Sequence, residues 1–104
     1  MKNKSSLKAL SALANENRLQ IMQWISDPLP HFPPQSDGDL VNDGVCVGSI
    51  ATKIGLSQPT VTKHMGILAD AGLVTHKKLK NWVFYKPDHT AINQSLANIS
   101  ELLK

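Results

Sequence analysis

The stretch LSQPTVTKH, residues 56–64, presents groups that can donate and accept hydrogen bonds from one side of a predicted helix. Ser57 suits the N-cap of that helix, and a proline two residues later is tolerated because the first helical amides have no partner within the helix. At about 100° per residue, Val61, Met65 and Leu68 share one apolar stripe, which predicts a buried face. Hydroxyl groups and a lysine point away from this stripe, at Thr60, Thr62 and Lys63. The outer face is therefore free to bind a polar or charged partner.

Positive charge is concentrated in the segment that contains this helix. The chain of 104 residues has a net charge of +3, whereas residues 45–86 carry six lysines and a single acid, Asp70. The segments before and after it are each slightly acidic. A positive field confined to one part of the chain is what a polyanion-binding surface requires. The six lysines are Lys53, Lys63, Lys77, Lys78, Lys80 and Lys86.

Apolar spacing predicts the elements that hold this face in place. Helices are expected at about residues 5–13, 16–26, 47–54, 57–71 and 88–103, and a β-hairpin at 73–86 with Asn81 in left-handed geometry at its turn. Two short helices joined by a glycine-containing turn form a helix-turn-helix, and a hairpin directly behind it forms a wing. The predicted fold class is therefore mainly α with a β-hairpin wing, a winged helix-turn-helix.

Residues 27–44 interrupt this pattern with four prolines, two glycines and four aspartates. No regular helix or central strand is expected there, and 18 residues exceed an ordinary connection, so the segment is either a functional loop or a mobile one. The length predicts a single domain over residues 1–104 that carries this Pro/Asp-rich insertion. Because no apolar run approaches the ~20 residues of a membrane span and the N-terminus has no secretory stretch, we expect a soluble cytoplasmic protein without a membrane partner.

Three longer motifs occur in the order ALANENRLQIM, IATKIGLSQPTVTKHMGIL and AGLVTHKKLKNWVFY. Together they resemble the ArsR/SmtB family of small bacterial winged-helix repressors, over nearly all of the chain except residues 27–44. The resemblance implies a homodimeric transcriptional repressor that binds an inverted repeat in double-stranded DNA. It also implies that the 57–71 helix enters the major groove while the hairpin reaches the flanking backbone.

The resemblance assigns DNA contacts to the helix and to the wing. At or near the major groove it implies Ser57, Gln58, Thr60, Thr62, Lys63 and His64, and at the flanking phosphates Lys77, Lys78 and Lys80. The chemistry agrees, since glutamine can pair bidentately with adenine and hydroxyl or lysine groups can contact base edges or phosphates. For His64, a packed and hydrogen-bonded ring and a phosphate contact stay equally open.

The resemblance also implies that the first and last helices build the dimer. The apolar residues expected at that interface are Leu7, Leu10, Ile92, Leu96, Ile99 and Leu103. The apolar seam of the last helix could instead be used within one chain.

The metal-binding patterns of the resembled family are incomplete. In GVCVGSI, Cys46 matches the first cysteine of the family's Cys-x-Cys and Gly48 replaces the second. Asp88 and His89 are adjacent where the family has Asp-x-His, and no histidine follows them. We therefore expect no cofactor and no intact soft-metal site. The insertion could still supply His31, Asp37, Asp39 and Asp43 as ligands that converge on Cys46, and an unidentified effector stays open.

Two other classes of function compete with DNA binding. A protein-interaction module would favour an apolar patch with aromatic residues over a basic, polar helix face. An enzyme would need paired carboxylates, a phosphate-binding glycine loop or an activated nucleophile, and only Cys46 and His64 could meet to form such a pair. We expect no enzymatic activity.

Overall fold

Five α-helices and three short β-strands make up residues 2–104, the part of the chain that the computed structural model describes, with side chains from Lys4 onward. In chain order they are α1 (Lys2–Leu13), α2 (Glu16–Ser26), β1 (Val45–Cys46), α3 (Val47–Ile54), α4 (Gln58–Asp70), β2 (Val74–Leu79), β3 (Trp82–Pro87) and α5 (His89–Leu102). The predicted architecture is confirmed, with α3 and α4 as the helix-turn-helix and β2–β3 as the wing. Predicted ends shift by a residue at most, except that α1 begins at Lys2 instead of about residue 5. Within residues 2–104, no helix is long and apolar enough to cross a membrane.

Side-chain caps fix where the helices begin. The Oγ of Ser57 accepts a hydrogen bond from the backbone amide of Thr60, 3.3 Å away, at the start of α4. Asn15 and Asp88 cap α2 and α5 in the same way. Gly55 ends α3 in left-handed geometry, with φ of 77°, and so allows the tight turn into α4. These local signals set the helix-turn-helix.

The apolar stripe of α4 lies in the centre of the core. Val61, Met65 and Leu68 are fully buried, and they belong to the same cluster as Ile21 of α2 and Ile50 of α3. Burying each such side chain stabilises the fold by about 1.5–3 kcal/mol relative to leaving it exposed. The buried stripe fixes the rotation of α4, so its polar face must point outward.

The sheet has three antiparallel strands with β3 in the middle, in the order β1-β3-β2. The sequence analysis missed β1, since two residues are too few to show an alternating pattern. In the register, Val45 lies opposite Tyr85 and Cys46 lies opposite Phe84. The start of α3 is therefore joined directly to the wing.

The turn of the wing departs from the prediction in one detail. Leu79 pairs with Trp82, which leaves Lys80 and Asn81 as the two loop residues. Asn81 lies in the turn as expected, but the left-handed backbone falls on Lys80, with φ of 56°. The strand register decides this, because it places Lys80 at the first loop position.

Residues 27–44 form turns and bends that fold back onto the core. Phe32 and Leu40 are buried there, at 5% and 7% exposure. The side-chain oxygen of Gln35 accepts a hydrogen bond from the backbone amide of Cys46 at 2.7 Å. This segment, which we call the insertion loop, is thereby held against β1.

Candidate nucleic-acid interface

The outer face of α4 carries the polar side chains predicted to contact DNA. Gln58, Thr60, Thr62 and Lys63 are all exposed. The hydroxyl of Ser57 donates to Oγ1 of Thr60 at 2.8 Å in addition to its capping bond. The hydroxyl of Ser57 is thus engaged within the helix, and the other four side chains form the open face, which we call the α4 face.

His64 differs from these residues because it is half-buried and hydrogen-bonded. Its Nδ1 lies 3.1 Å from a terminal nitrogen of the Arg18 guanidinium. Since arginine can only donate, Nδ1 accepts and the ring is neutral. Burial lowers the pKa of His64 below its usual value, and the positive charges of Arg18 and Lys63 lower it further. His64 is therefore packed and hydrogen-bonded to Arg18 in this structure.

Arg18 links three helices at this point. Its Nε donates to the carbonyl of Ala12 at 2.6 Å, and its second terminal nitrogen donates to the carbonyl of Ser11 at 3.3 Å. The guanidinium of this α2 residue therefore donates hydrogen bonds to backbone carbonyls at the C-terminal end of α1. It also holds α4 in place through its hydrogen bond to His64. Sequence reasoning missed this role, although the arginine lies within the motif ALANENRLQIM.

Two of the wing lysines form ion pairs with acidic residues of the insertion loop. The Nζ of Lys77 lies 2.5 Å from a carboxylate oxygen of Asp43, and that of Lys80 lies 2.9 Å from one of Asp37. The hydrogen bond from Lys77 is the largest cause of a lowered pKa at Asp43. Sequence reasoning assigned these acids to a separate flank, whereas the fold pairs them with the wing.

Lys78 is the exception among the three wing lysines predicted to contact DNA. It is exposed, and among the residues with described side chains no carboxylate lies within ion-pair distance of it. Exposed ion pairs contribute little to stability and are screened by salt, so the pairs at Lys77 and Lys80 can exchange for phosphates. Lys78 can bind a phosphate without any exchange.

The candidate metal ligands of the insertion loop are not brought together. Asp37 and Asp43 bind lysines, and a carboxylate oxygen of Asp39 accepts hydrogen bonds from the backbone amides of Val41 and Asn42. Across residues 4–104, no three His, Cys, Asp or Glu side chains converge as a group that could hold a metal. The candidates concerned are His31, Asp37, Asp39, Asp43 and Cys46.

The residues predicted for the dimer interface lie on α1 and α5, which pack against each other. Four leucines remain solvent-exposed there: Leu7 at 65%, Leu10 at 46%, Leu96 at 53% and Leu103 at 81%. Ile92 and Ile99 are half-buried. The inward side of α1 instead carries small residues, so its leucines are left for another surface. We call these four leucines the leucine face.

Comparison of the sequence with known proteins identifies the family to which the chain is similar. A sequence profile described as "Bacterial regulatory protein, arsR family" matches residues 40–76, which run from the end of the insertion loop into the wing. The chain is 38% identical over 88 residues to an uncharacterized HTH-type transcriptional regulator, YbzH of Bacillus subtilis, and the match covers 85% of this chain and 88% of YbzH.

Solved structures of other proteins share this fold. HlyU from Vibrio cholerae matches with a TM-score of 0.66 and 27% identity, over 96% of this chain and 92% of HlyU. The homodimeric winged helix-turn-helix DNA-binding domain of Mb0332 from Mycobacterium bovis matches with a TM-score of 0.63 and 20% identity, over 96% of this chain and 78% of that one.

Proposed function

This chain belongs to the arsR family of bacterial regulatory proteins and is a DNA-binding transcriptional regulator, and we propose that it acts as a homodimeric repressor on an inverted-repeat operator. We treat residues 1–104 as one DNA-binding domain with an insertion at 27–44. The observation that carries the proposal is the α4 face, which is exposed, polar and fixed in orientation by a fully buried stripe behind it.

The α4 face supplies the contacts to base edges. A major groove about 12 Å wide admits an α-helix, and the first turns of α4 would lie deepest in it. Gln58 can pair bidentately with adenine, while Thr60 and Thr62 can bind base edges or phosphates. Lys63 adds a phosphate contact from the same helix. Sequence preference would come mainly from Gln58 and the two threonines.

The wing supplies affinity that does not depend on sequence. Lys78 binds a phosphate directly, and Lys77 and Lys80 bind phosphates after leaving Asp43 and Asp37. Each phosphate neutralised releases counterions, so affinity falls as salt rises. The acids of the insertion loop reduce the net gain from the two paired lysines.

A second copy of the chain would cover the leucine face. Exposed apolar side chains grouped on two packed helices mark an interaction surface on a monomer. The homodimeric domain of Mb0332, which shares the fold, supports the same arrangement here. Two α4 helices related by a two-fold axis would contact half-sites about 34–36 Å apart, on one side of the duplex. A dimer bound across a promoter would exclude the polymerase and so repress transcription.

The test is fluorescence anisotropy with DNA from upstream of the protein's own gene, in a salt series with random DNA as competitor. We expect a preference of about a thousandfold for the specific DNA and a steep loss of affinity with salt. If a genomic library screened in the same way contains no fragment bound more tightly than random DNA, the chain is not a sequence-specific repressor.

A further inference from the structure

A cavity of about 630 Å³ opens between the insertion loop, α3, the first turn of α4 and β3. Small-molecule sites in proteins commonly enclose about 300–1,000 Å³. The insertion loop forms one wall of the cavity, and it approaches the sheet very closely at Gly38. A Cβ added to Gly38 would lie 2.8 Å from the ring of Phe84. This wall is therefore set by close packing and not by a loose contact.

One side of the cavity is aromatic. Phe32 from the insertion loop and Phe84 from β3 line it, both almost fully buried, together with Trp82, which is 46% exposed. Of the three rings only that of Trp82 is largely exposed, so it is the aromatic surface that a ligand in the cavity can reach. Aromatic rings pack favourably against such a surface by stacking or edge-to-face contact.

The part of the lining that α3 supplies is mostly polar and carries one positive charge. Lys53 of α3 lines the cavity, with its Nζ 5.3 Å from the centre of the Trp24 ring. Among the residues with described side chains, no carboxylate lies within ion-pair distance of Lys53. The one acid in the lining, Asp37, is already paired with Lys80. Because Lys80 neutralises Asp37 from outside the lining, Lys53 is the charged group left to bind an anionic ligand.

We propose that this cavity binds a small aromatic anion, and that its occupation weakens DNA binding. The exposed ring of Trp82 receives the aromatic part, and the ammonium of Lys53 binds the carboxylate or sulfonate. The effect on DNA rests on the proposed function, because it requires that Gln58 contacts bases.

Gln58 connects the cavity to the α4 face. It lines the cavity, and a Cβ added to Gly48 would lie 3.9 Å from both the side-chain oxygen of Gln58 and the sulfur of Cys46. A ligand beside Gly48 would compete with a base for the amide of Gln58. By linkage, the ligand and the specific DNA must each lower the affinity of the other by the same factor.

The site is tested first without DNA, by fluorescence titration of the full chain with 8-anilinonaphthalene-1-sulfonate, and with N-phenyl-1-naphthylamine as the analogue that lacks the sulfonate. We expect saturable binding of the sulfonate, weakened about tenfold or more by Gly48→Leu, which fills the cavity, and by Lys53→Gln. The uncharged analogue should bind less tightly and should not respond to Lys53→Gln. Lys104→Gln, far along the chain at an exposed terminal lysine, is the matched control.

Circular dichroism of each variant confirms that it is folded, and Leu103→Ser separates the cavity from the leucine face. Dye binding that falls with Leu103→Ser but is unchanged in Gly48→Leu and Lys53→Gln overturns the site. Equal binding of the two dyes overturns the preference for an anion.

The link to DNA is measured afterwards, as the affinity for the specific duplex at saturating dye. We expect a loss of at least about fivefold in the wild type and no loss in Gly48→Leu. A bound dye that leaves DNA affinity unchanged overturns the coupling but not the site. A protein that binds the dye as expected and no specific DNA contradicts the proposed function instead.

Discussion

The guanidinium of Arg18 and the imidazole of His64 lie 3.1 Å apart, and this contact joins the helix that carries the DNA-binding face to the end of α1. α1 also belongs to the proposed dimer interface. One cation therefore connects the proposed dimer surface on α1 with the proposed DNA-contacting surface on α4. A change at the proposed dimer interface can reach α4 through Arg18, in addition to the exposed ion pair between Lys8 of α1 and Asp70 of α4.

We predict that Arg18→Ala lowers the free energy of unfolding by about 1–3 kcal/mol, because it leaves half-buried acceptors at the end of α1 without a donor. Arg18→Lys keeps the charge but cannot bind Ala12, Ser11 and His64 at once, so it should recover only a small part of the loss. Urea denaturation followed by circular dichroism measures both. Wild-type stability in Arg18→Lys would show that the bridging geometry is unimportant.

The lowered pKa of His64 predicts a stability that depends on pH. Burial and the charge of Arg18 favour the neutral ring in the folded state, so unfolding raises the pKa toward its ordinary value of 6.5. The unfolded state then binds a proton more readily, and the contribution of His64 is complete above pH 6.5 and is lost as the pH falls below it. Stability measured from pH 8 to about pH 5 should fall less in His64→Gln than in the wild type. Parallel curves for the two proteins would contradict this.

Gln58→Ala tests whether Gln58 contacts bases. If its amide binds an adenine bidentately, the specific duplex should lose about 1–3 kcal/mol of binding free energy while random DNA loses much less. Anisotropy titrations of both duplexes at one salt concentration measure the difference. Equal losses on the two duplexes would show that Gln58 contributes no sequence preference.

Two substitutions that each remove a charge, one on the wing and one on the insertion loop, should change the salt dependence of DNA affinity in opposite directions. Lys78→Ala removes one phosphate contact, so it should weaken all DNA alike and reduce the slope of log affinity against log salt by about one. Asp43→Asn frees Lys77 from its ion pair, so it should strengthen binding to all DNA and steepen that slope. A salt series of anisotropy titrations measures both slopes.

Asp70→Asn is the control for Asp43→Asn, because Asp70 also binds a lysine, Lys8, but on α1 and away from the wing. It removes the same charge and should leave the salt slope unchanged. If Asp70→Asn and Asp43→Asn raise affinity equally, the effect is one of net charge and the insertion loop has no special role.

Leu96→Lys should abolish the dimer and with it most of the affinity for an inverted repeat, because it places a charge on the leucine face. Leu29→Lys is the matched control, since Leu29 is 67% exposed but lies on the insertion loop. Analytical ultracentrifugation gives the oligomeric state of each. A Leu96→Lys protein that remains dimeric would place the interface elsewhere.

Local features of the fold could be predicted from sequence, and the long-range contacts could not. The buried stripe of Val61, Met65 and Leu68 and the cap at Ser57 depend on residues within a few positions of one another, so periodicity and composition identify them. The pair Arg18–His64 joins residues 46 positions apart, and Lys77–Asp43 joins residues 34 positions apart. No local pattern encodes which charged side chains become neighbours once the chain has folded.

The same limit explains what was missed at the candidate site. The exposure of the α4 face follows from its helical period. The ion pairs that two wing lysines form with Asp43 and Asp37 depend instead on where the insertion loop folds. The sequence analysis recognised that loop only by its lack of regular structure. The cavity that the insertion loop forms with Trp82 and Lys53 depends on two long-range contacts: the loop binds β1, and β1 pairs with β3.

The position of β2 at the edge of the sheet gives its lysines a second role. An edge strand exposes unpaired backbone groups that can align with an edge strand of another molecule, and charged side chains prevent such alignment by mutual repulsion. Lys77 and Lys78 lie on this strand, so the lysines proposed to bind phosphates would also oppose the pairing of two protomers strand to strand. Neutralising Lys77 and Lys78 should therefore favour edge-to-edge association of protomers as well as weaken DNA binding.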